Sequence, residues 1–411
     1  MKRVILILAS IALCVSAASA QVKSVQTAVK TGPTGYRLYN NQVPRTEIIL
    51  PSINGLTAYK GDFHVHTIYS DGDVTPRERM REAWFDGLDI IAITDHLEAR
   101  PYERNMLKAL APYNEDGQPH KYLPAGAFNK YNKDAPLKAN MNAGFEEAQD
   151  IIAKEHIPIM VVRGSEIWRN PATTGEYNAL FLEDINAIFH KDLFECFRRV
   201  KEQGGIIIHN HPGWRRTTMD KSEDQIRAYG EGWVDGVEVV NAVGLAPQMI
   251  DRCVDEKLAI FANTDVHRPS SQVWYRNSGI FRTMTIIYAK ECTEKAIKDA
   301  ILKRRTIGYC ANNLIGDKEM LKEFMDAALE CKLVDVNEQK GYRVFQITNH
   351  CSVPFILRRV KAVYELLPFQ SIRVKMGKWP KTGKYCDPQF EVDNMWTVGD
   401  KHPNFMLEID K

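Results

Sequence analysis

His64-Val65-His66, followed by a carboxylate on the turn Ser70-Asp71-Gly72, is the first stretch of this sequence whose residue types and spacing could do chemistry. On an extended strand, residues i and i+2 leave the same face. The two imidazoles therefore point together, and with a carboxylate just past the strand end they make a set able to hold a divalent ion. Taken alone, a His-x-His pair is equally well explained by chance or by a hydrogen-bonded core pair. The pattern recurs, however. Thr94-Asp95-His96, Gly164-Ser165-Glu166, Asn210-His211-Pro212 and Asp265-Val266-His267 each set a His, Asp or Glu at the end of an apolar run, and the last repeats the alternate-residue spacing of the first.

The elements that must position these residues read as strand, loop and helix in repetition from Gly61 onward. Thr75-Pro76-Arg77-Glu78 supplies an N-cap, a first-turn proline and a capping-box glutamate for a helix running to about Phe85 and ended by Gly87. Residues 88–93 are apolar except for Asp89, the mark of a strand buried on both faces of a parallel sheet. Further strands are expected over 157–162, 177–182, 205–208, 236–240, 258–262 and 283–288, with helices near 141–155, 192–202 and 247–257. The alternation predicts a parallel α/β sheet or barrel. In such a fold His64, His66, Asp71, His96, Glu166, His211, Asp265 and His267 all fall at or just past the C-terminal ends of strands, where α/β barrels build active sites. The polar insert over 100–139 is longer than most loops and reads as a lid or rim.

Composition sets the frame. The chain has 411 residues, 44% hydrophobic and 26% charged, with a formal net charge of +2, which suits one large domain and a smaller one. Lys2-Arg3, an apolar run over 4–15 and Ala18-Ser19-Ala20 read as a signal peptide cleaved near Ala20, giving a secreted or periplasmic protein. Bulky Leu13 before Cys14 argues against a lipoprotein, and no later segment is apolar enough to span a membrane. Removing Lys2 and Arg3 leaves a chain near neutrality, with no electrostatic case for nucleic acid or an anionic membrane. The seven cysteines that remain are scattered without a Cys-x-x-Cys, so they form no disulfide framework, although one or two bridges in the C-terminal third stay open.

The expected domains are a signal peptide over 1–20, an extended lead-in over 21–58, a catalytic domain over 59–305 and a small β-rich domain over 306–411. In the last, a helix near 318–331 precedes alternating segments at 342–348, 354–363, 371–374 and 390–392. Its basic, aromatic stretch 375–381 is either a contact for a glycan or an anionic polymer, or a solvated turn, and the domain as a whole is a candidate for a glycan or homo-oligomer contact.

In order and spacing, His64-Val65-His66-Thr67, Ser70-Asp71-Gly72, Thr94-Asp95-His96, Gly164-Ser165-Glu166, Asn210-His211-Pro212 and Asp265-Val266-His267 resemble the motifs of the PHP (polymerase and histidinol phosphatase) metal-dependent phosphoesterases. The resemblance implies a distorted (β/α)7 TIM-like barrel, two or three divalent ions (Mn, Fe or Zn) and hydrolysis of a small phosphorylated substrate by a metal-bound water. It also implies one ion on His64, His66, Glu166 and Asp265, a second on Glu166 and His211, and a third on Asp71, His96 and His267. Residues after 305 resemble, more weakly, the β-rich domain of exported members. Where relatives tend to offer a further histidine to the second ion, this chain has Glu176. Either Glu176 ligates, which makes the site richer in oxygen and shifts preference toward Mn or Mg, or the second ion is weakly held.

Arg100, Arg268 and Arg282 are candidate phosphate contacts, with salt-bridged or solvated arginines as the alternative. His209 is expected to face the barrel mouth beside His211, supporting the ligands or the substrate, unless it is a core histidine. No Gly-x-Ser-x-Gly elbow and no Walker loop occurs. Three functions stay open: a phosphomonoesterase, a phosphodiesterase with the same site, and a non-catalytic metal- or ligand-binding module.

Overall fold

The computed structural model describes residues 29–30, 36–37, 45–100, 140–274 and 279–410. The expected signal peptide and nearly all of the 100–139 insert lie outside the described residues. The chain divides into two units, Met1–Arg45 and Thr46–Lys411. In the first, β1 (Val29–Lys30) and β2 (Tyr36–Arg37) pair as an antiparallel ribbon.

The second unit is built on one large curled sheet. Its strands are β3 (Thr57–Asp62), β4 (Ile90–Ile93), β5 (Met160–Ile167), β6 (Glu176–Leu180), β7 (Ile206–Asn210), β8 (Gly236–Asn241), the short β9 (Gly244–Leu245), β10 (Ala259–Asn263), β11 (Met284–Ala289), β12 (Thr306–Cys310) and β13 (Asn313–Ile315). The order across the sheet is β10-β8-β7-β6-β5-β4-β3-β11-β12-β13, with β9 hooked onto β8. The helices that follow strands pack outside, as the 3.6-residue spacing of their apolar positions requires. In α1 (Pro76–Phe85), the Thr75 hydroxyl accepts from the Glu78 amide at 3.3 Å, and Pro76 occupies the first turn. Met80 and Ala83 of α1 join the same buried cluster as Phe145, Ala148 and Ile151 of α2 (Ala143–Glu155). The remaining crossovers are α3 (Leu193–Glu202), α4 (Glu223–Gly230), α5 (Pro247–Asp255) and α6 (Glu294–Leu302).

An all-parallel sheet is not what forms. β6 runs antiparallel to both β5 and β7, because the eight residues between β5 and β6 contain no helix. An antiparallel neighbour can be reached by a short connection, whereas a parallel one needs a crossover. The reversal brings the N-terminal residue of β6, Glu176, to the rim where its neighbours end.

The sheet closes into a distorted barrel through side chains rather than a regular ladder. At the seam, the Ala262 amide donates to Thr285 Oγ1 at 3.0 Å, Phe63 to Asn263 Oδ1 at 3.0 Å, and Thr264 to Asp62 Oδ1 at 3.1 Å. The tails of β3 and β10 then run side by side: Asp265 N–H donates to His64 O at 2.8 Å and His66 N–H to Val266 O at 3.1 Å. Phe63 and Phe261 fill the interior edge to face, with ring centroids 5.5 Å apart.

Beyond residue 305 the large sheet continues through β12 and β13. After α7 (Lys318–Ala328) come two small antiparallel sheets. One is β14 (Leu329–Asn337), β15 (Tyr342–Asn349) and β18 (Ser371–Met376); the other orders β17 (Ala362–Leu366), β16 (Phe355–Arg359), β19 (Gln389–Val392) and β21 (Asn404–Met406). The short β20 (Met395–Trp396) returns to pair with β13. Two details differ from expectation. The helix stops at Ala328 because 329–337 continues as β14, whose outer residues are too polar to read as a strand, and 354–363 is a hairpin turning at Val360 with φ 55°. All seven described cysteines are unpaired thiols, so the C-terminal bridges do not form. Among the described residues, no helix is long and apolar enough to cross a membrane.

Arg282 stands two residues before β11 and is 3% exposed. Its guanidinium donates to Asp62 at 2.5 Å and to Asp86 at 3.2 Å, tying the barrel seam to the end of α1. Removing one partner of a buried ion pair strands the other charge. Arg282→Met is therefore expected to lower unfolding stability by about 3–5 kcal/mol in a urea titration. A loss below about 1 kcal/mol, typical of exposed pairs, would contradict this role.

Candidate metal centre

The nine His, Asp and Glu residues singled out in the sequence converge at one rim of the barrel. His64 and His66 stand on the tail of β3, both fully buried, with their Nε2 atoms 3.1 Å apart. Glu166 comes from β5 and Asp265 from the tail of β10. Glu166 Oε2 lies 3.3 Å from both imidazole nitrogens, and Asp265 Oδ1 lies 3.3 and 3.2 Å from them. The second oxygens of these carboxylates look elsewhere. His211 Nε2 is 3.3 Å from Glu166 Oε1, 3.4 Å from Glu176 Oε2 and 3.9 Å from Asp265 Oδ2. A third grouping has Asp71 3.3 Å from His96 Nε2, 3.3 Å from His267 Nε2 and 3.4 Å from His66 Nδ1.

These spacings suit metal ions. Bonds of about 2.0–2.1 Å put neighbouring ligand atoms roughly 3.0–3.4 Å apart in octahedral or tetrahedral arrangements. Four groups of donor atoms satisfy mutual proximity: His66, Asp71, His96 and His267; His64, His66 and Glu166; His64, His211 and Asp265; and Glu166, Glu176 and His211. Asp71 Oδ1 and His96 Nδ1 are buried and make no aligned hydrogen bond, yet each has another donor atom of the centre within 3.4 Å, the state expected of atoms that share a cation. Glu166 belongs to two of these groups, and Asp265 sets Oδ1 beside His64 and His66 with Oδ2 3.9 Å from His211, so either carboxylate could bridge ions.

The charge balance agrees. Burial alone would neutralise His66, but hydrogen bonds to Asp265 and Glu166 raise it to about 10. His211 is likewise raised to about 9, against its burial, by Glu166 and Asp265. Despite the cost of burial, the imidazoles around them hold Glu166, Asp71 and Asp265 well below the usual carboxylate range. Glu176 differs. Burial and then the neighbouring Glu166 charge raise it to about 7, so in the absence of a cation it carries a proton part of the time at neutral pH. Such a set takes up protons where it could take up metal.

Local structure aims the donors. His211 (φ 27°) and Asp265 (φ 51°) both hold left-handed backbone, a strain the surroundings maintain. The His211 amide is caught by Glu238 Oε2 at 2.9 Å and the Asp265 amide by the His64 carbonyl. Asp95 fastens the loop after His66, accepting from Thr67 N (2.7 Å), Thr67 Oγ1 (2.6 Å) and Ser70 Oγ (2.6 Å). In the same loop Gly72 passes so close to the His66 backbone that a Cβ would lie 2.6 Å from its carbonyl.

Sequence reasoning missed two residues here. Glu238 Oε1 sits 2.8 Å from His64 Nδ1, which fixes the imidazole so that Nε2 faces the centre, and it also accepts from Asn263 at 2.9 Å. Its signal was a lone carboxylate in the otherwise apolar strand Gly236-Val237-Glu238-Val239-Val240. Asn210 donates to Glu166 Oε1 at 2.8 Å, and only its place beside His211 hinted at it.

The other candidates do not meet the donor cluster. His209 does not face the mouth with His211, because β7 ends at Asn210 and the left-handed turn at His211 breaks the alternation. It points into the helix layer, stacked on Tyr177 and 2.6 Å from the Tyr229 hydroxyl. Burial, with Arg252 and His211 adding to it, holds it neutral. Arg282 is the buried seam residue described above rather than a phosphate contact. Arg100 is buried, and one of its bonds goes to the His96 carbonyl at 3.1 Å, bracing that loop. Arg268 is exposed, and its carbonyl accepts from Arg79 at 2.8 Å.

A barrel whose rim gathers shared carboxylates and imidazoles defines a metal-dependent hydrolase class of site. Residues 62–265 match the model of the PHP domain, and the chain is a PHP-domain protein. It resembles a two-domain protein from Bacteroides vulgatus, containing a predicted PHP-like metal-dependent phosphoesterase, with a TM-score of 0.74 and 29% identity over 88% of this chain and 98% of that one. It is also 28% identical over 140 residues to an uncharacterised protein of Methanocaldococcus jannaschii. That match covers 31% of this chain and 56% of the other, so the chain spans about half the length of that curated relative.

Two substitutions separate supporting residues from bystanders. Glu238→Gln is expected to weaken metal binding about 10–100-fold, read by competition with a chromophoric chelator, while the protein stays folded. His209→Phe should leave the metal content unchanged but cost about 1–3 kcal/mol, because it removes the His209 partner of the buried Tyr229 hydroxyl. The folded-state pKa of His209 lies below its unfolded value near 6.5, so its contribution to stability is present above that pH and lost as pH falls. Between pH 7 and 5, roughly across that value, the wild type should therefore lose more stability than the Phe variant.

Proposed function

We propose that this chain is an exported, metal-dependent phosphoesterase that hydrolyses a small phosphate monoester at a site of two or three divalent ions. The observation that carries the reading is the sharing of Glu166 between two adjacent donor groups, one with His64 and His66 and the other with Glu176 and His211, which holds neighbouring cation positions in fixed relation. In this reading His64, His66, Glu166 and Asp265 hold one ion; Glu166, Glu176 and His211 a second; and Asp71, His96 and His267 a third. When bound, such ions acidify a water toward neutrality and neutralise charge on phosphoryl oxygens.

The chain's own residues do the rest. The donor set, anchored by Glu238, Asn210 and Asp95, keeps its geometry without reorganising when substrate arrives. Among the described residues, the cavity at the centre is lined by Asp71, His96, Glu166, Trp168, Glu176, His211, Trp214, Asn241, Asp265 and His267. With no Ser, Thr, Cys or Lys in that lining, direct attack by water is favoured over a covalent intermediate. Lacking an Arg or Lys there as well, the site relies on bound cations to compensate phosphate charge. The cavity of about 230 Å³ suits a phosphoryl group with a modest substituent and favours a monoester over a diester. Trp168 and Trp214 flank it and offer apolar surface to the group that leaves. Cleavage near Ala20 and export, with Mn, Fe or Zn as resident ions, complete the proposal.

The test is hydrolysis of para-nitrophenyl phosphate and bis-para-nitrophenyl phosphate by chelator-free protein, with metals counted on the same sample. The monoester is expected to turn over faster, and Asp265→Asn to reduce turnover on the order of a hundredfold or more while the protein remains folded. Glu176→Gln is expected to lower the metal count by one. An unchanged count would remove Glu176 from the ligand set, and bound metals with both esters intact would overturn the phosphoesterase reading.

A further inference from the structure

The near-neutral net charge conceals a strongly uneven distribution. Residues 338–385 carry ten Lys or Arg against two Glu. Many of these cations gather at one end of the two C-terminal sheets. Lys375 Nζ lies 3.9 Å from the Tyr342 ring centroid, Arg343 and Lys378 lie 4.3 and 4.7 Å from the Tyr385 ring, and Arg359 lies 5.6 Å from the Trp379 ring. The last contact brings the tip of the β16–β17 hairpin beside the 377–385 loop. Among the described residues none of these four cations is ion-paired, and Arg343 Nε is buried without a hydrogen-bond partner. Two apolar side chains project from the same end: Val360 at the hairpin tip, 79% exposed, and Trp379, 49% exposed.

We propose that this end of the C-terminal sheets docks on an anionic membrane surface. Cations held against aromatic rings, with no carboxylate to satisfy them, are complementary to lipid phosphates. Val360 and Trp379 stand at loop tips, where an apolar and an amphipathic residue can enter the headgroup region together. A sugar-binding platform fits less well. It needs open aromatic faces, and here cations already stack on Tyr342, Tyr385 and Trp379. The inference is independent of the reaction at the metal centre.

The test is co-sedimentation of the full chain with phosphatidylcholine vesicles, with and without phosphatidylglycerol. Binding is expected only to the phosphatidylglycerol vesicles, and it should fall as salt screens the patch. Lys361, Lys381 and Lys384 are exposed, so their joint replacement by Glu should spare the fold, checked by an unchanged urea midpoint. That variant should bind on the order of a hundredfold more weakly. Val360→Ser with Trp379→Ser should weaken binding about tenfold. The proposal is overturned if phosphatidylglycerol has no effect or if the triple reversal binds unchanged. It is also overturned if the Ser pair binds as well as wild type while a soluble acidic polysaccharide strips the protein from vesicles, which would mark the patch as a polyanion site.

Discussion

Glu166 is the carboxylate on which the rim is arranged. Fully buried at the end of β5, it contacts His64, His66, His96 and His211 and accepts a bond from Asn210. A buried carboxylate costs several kcal/mol unless it is compensated. Here the compensation comes from side chains on the tail of β3, on β7 and its exit, and on the loop after β4. The backbone adds to it: His96 and Glu166 form an isolated parallel bridge, and the Leu97 amide donates to the Glu166 carbonyl at 2.8 Å. Moving β5 relative to its neighbours would uncover that charge. The barrel's closure and the geometry of the centre are therefore one problem with one solution.

Closure through side chains follows from the same requirement. A regular ladder between β3 and β10 would spend the backbone of their tails on each other and hold His64, His66 and Asp265 in strand geometry. Instead Asp62, Asn263, Thr264 and Thr285 carry the seam, and the tails pair only through Val65 and Val266. Asp265 is left free to take up left-handed backbone and turn its carboxylate inward. Arg282, pinned between Asp62 and Asp86, compensates the buried charge that this seam introduces.

Much of this was legible in the sequence because both periodicities involved are short. The alternation in His64-Val65-His66 and in Asp265-Val266-His267 reports a strand face directly, and Thr75-Pro76-Arg77-Glu78 reports a helix start. What escaped depends on partners distant in sequence. The direction of β6 is set by the lack of a helix between it and β5, which apolar runs do not encode. Of the two readings of His209 the core histidine holds, and the mouth-facing one fails because it extends alternation one residue beyond the strand, past a backbone reversal that a non-glycine residue gives no reason to expect. Glu238 was passed over because a carboxylate in mid-strand gains its meaning only when the His64 ring, 174 residues away, is laid against it.

Net charge misled for a related reason. Summed over the chain it is close to zero, yet the metal centre concentrates carboxylates while the end of the C-terminal sheets concentrates lysine and arginine. The two regions have opposite needs. Glu166, Asp71 and Asp265 at the centre are held below their usual pKa by imidazoles and are suited to cations, so a nearby cluster of lysines would compete with those cations for the same oxygens. Placing the basic residues on separate sheets keeps that competition away from Glu166 and Asp265. It also explains how a PHP domain without an arginine or lysine among the described residues of its cavity can belong to a chain that carries 54 of them.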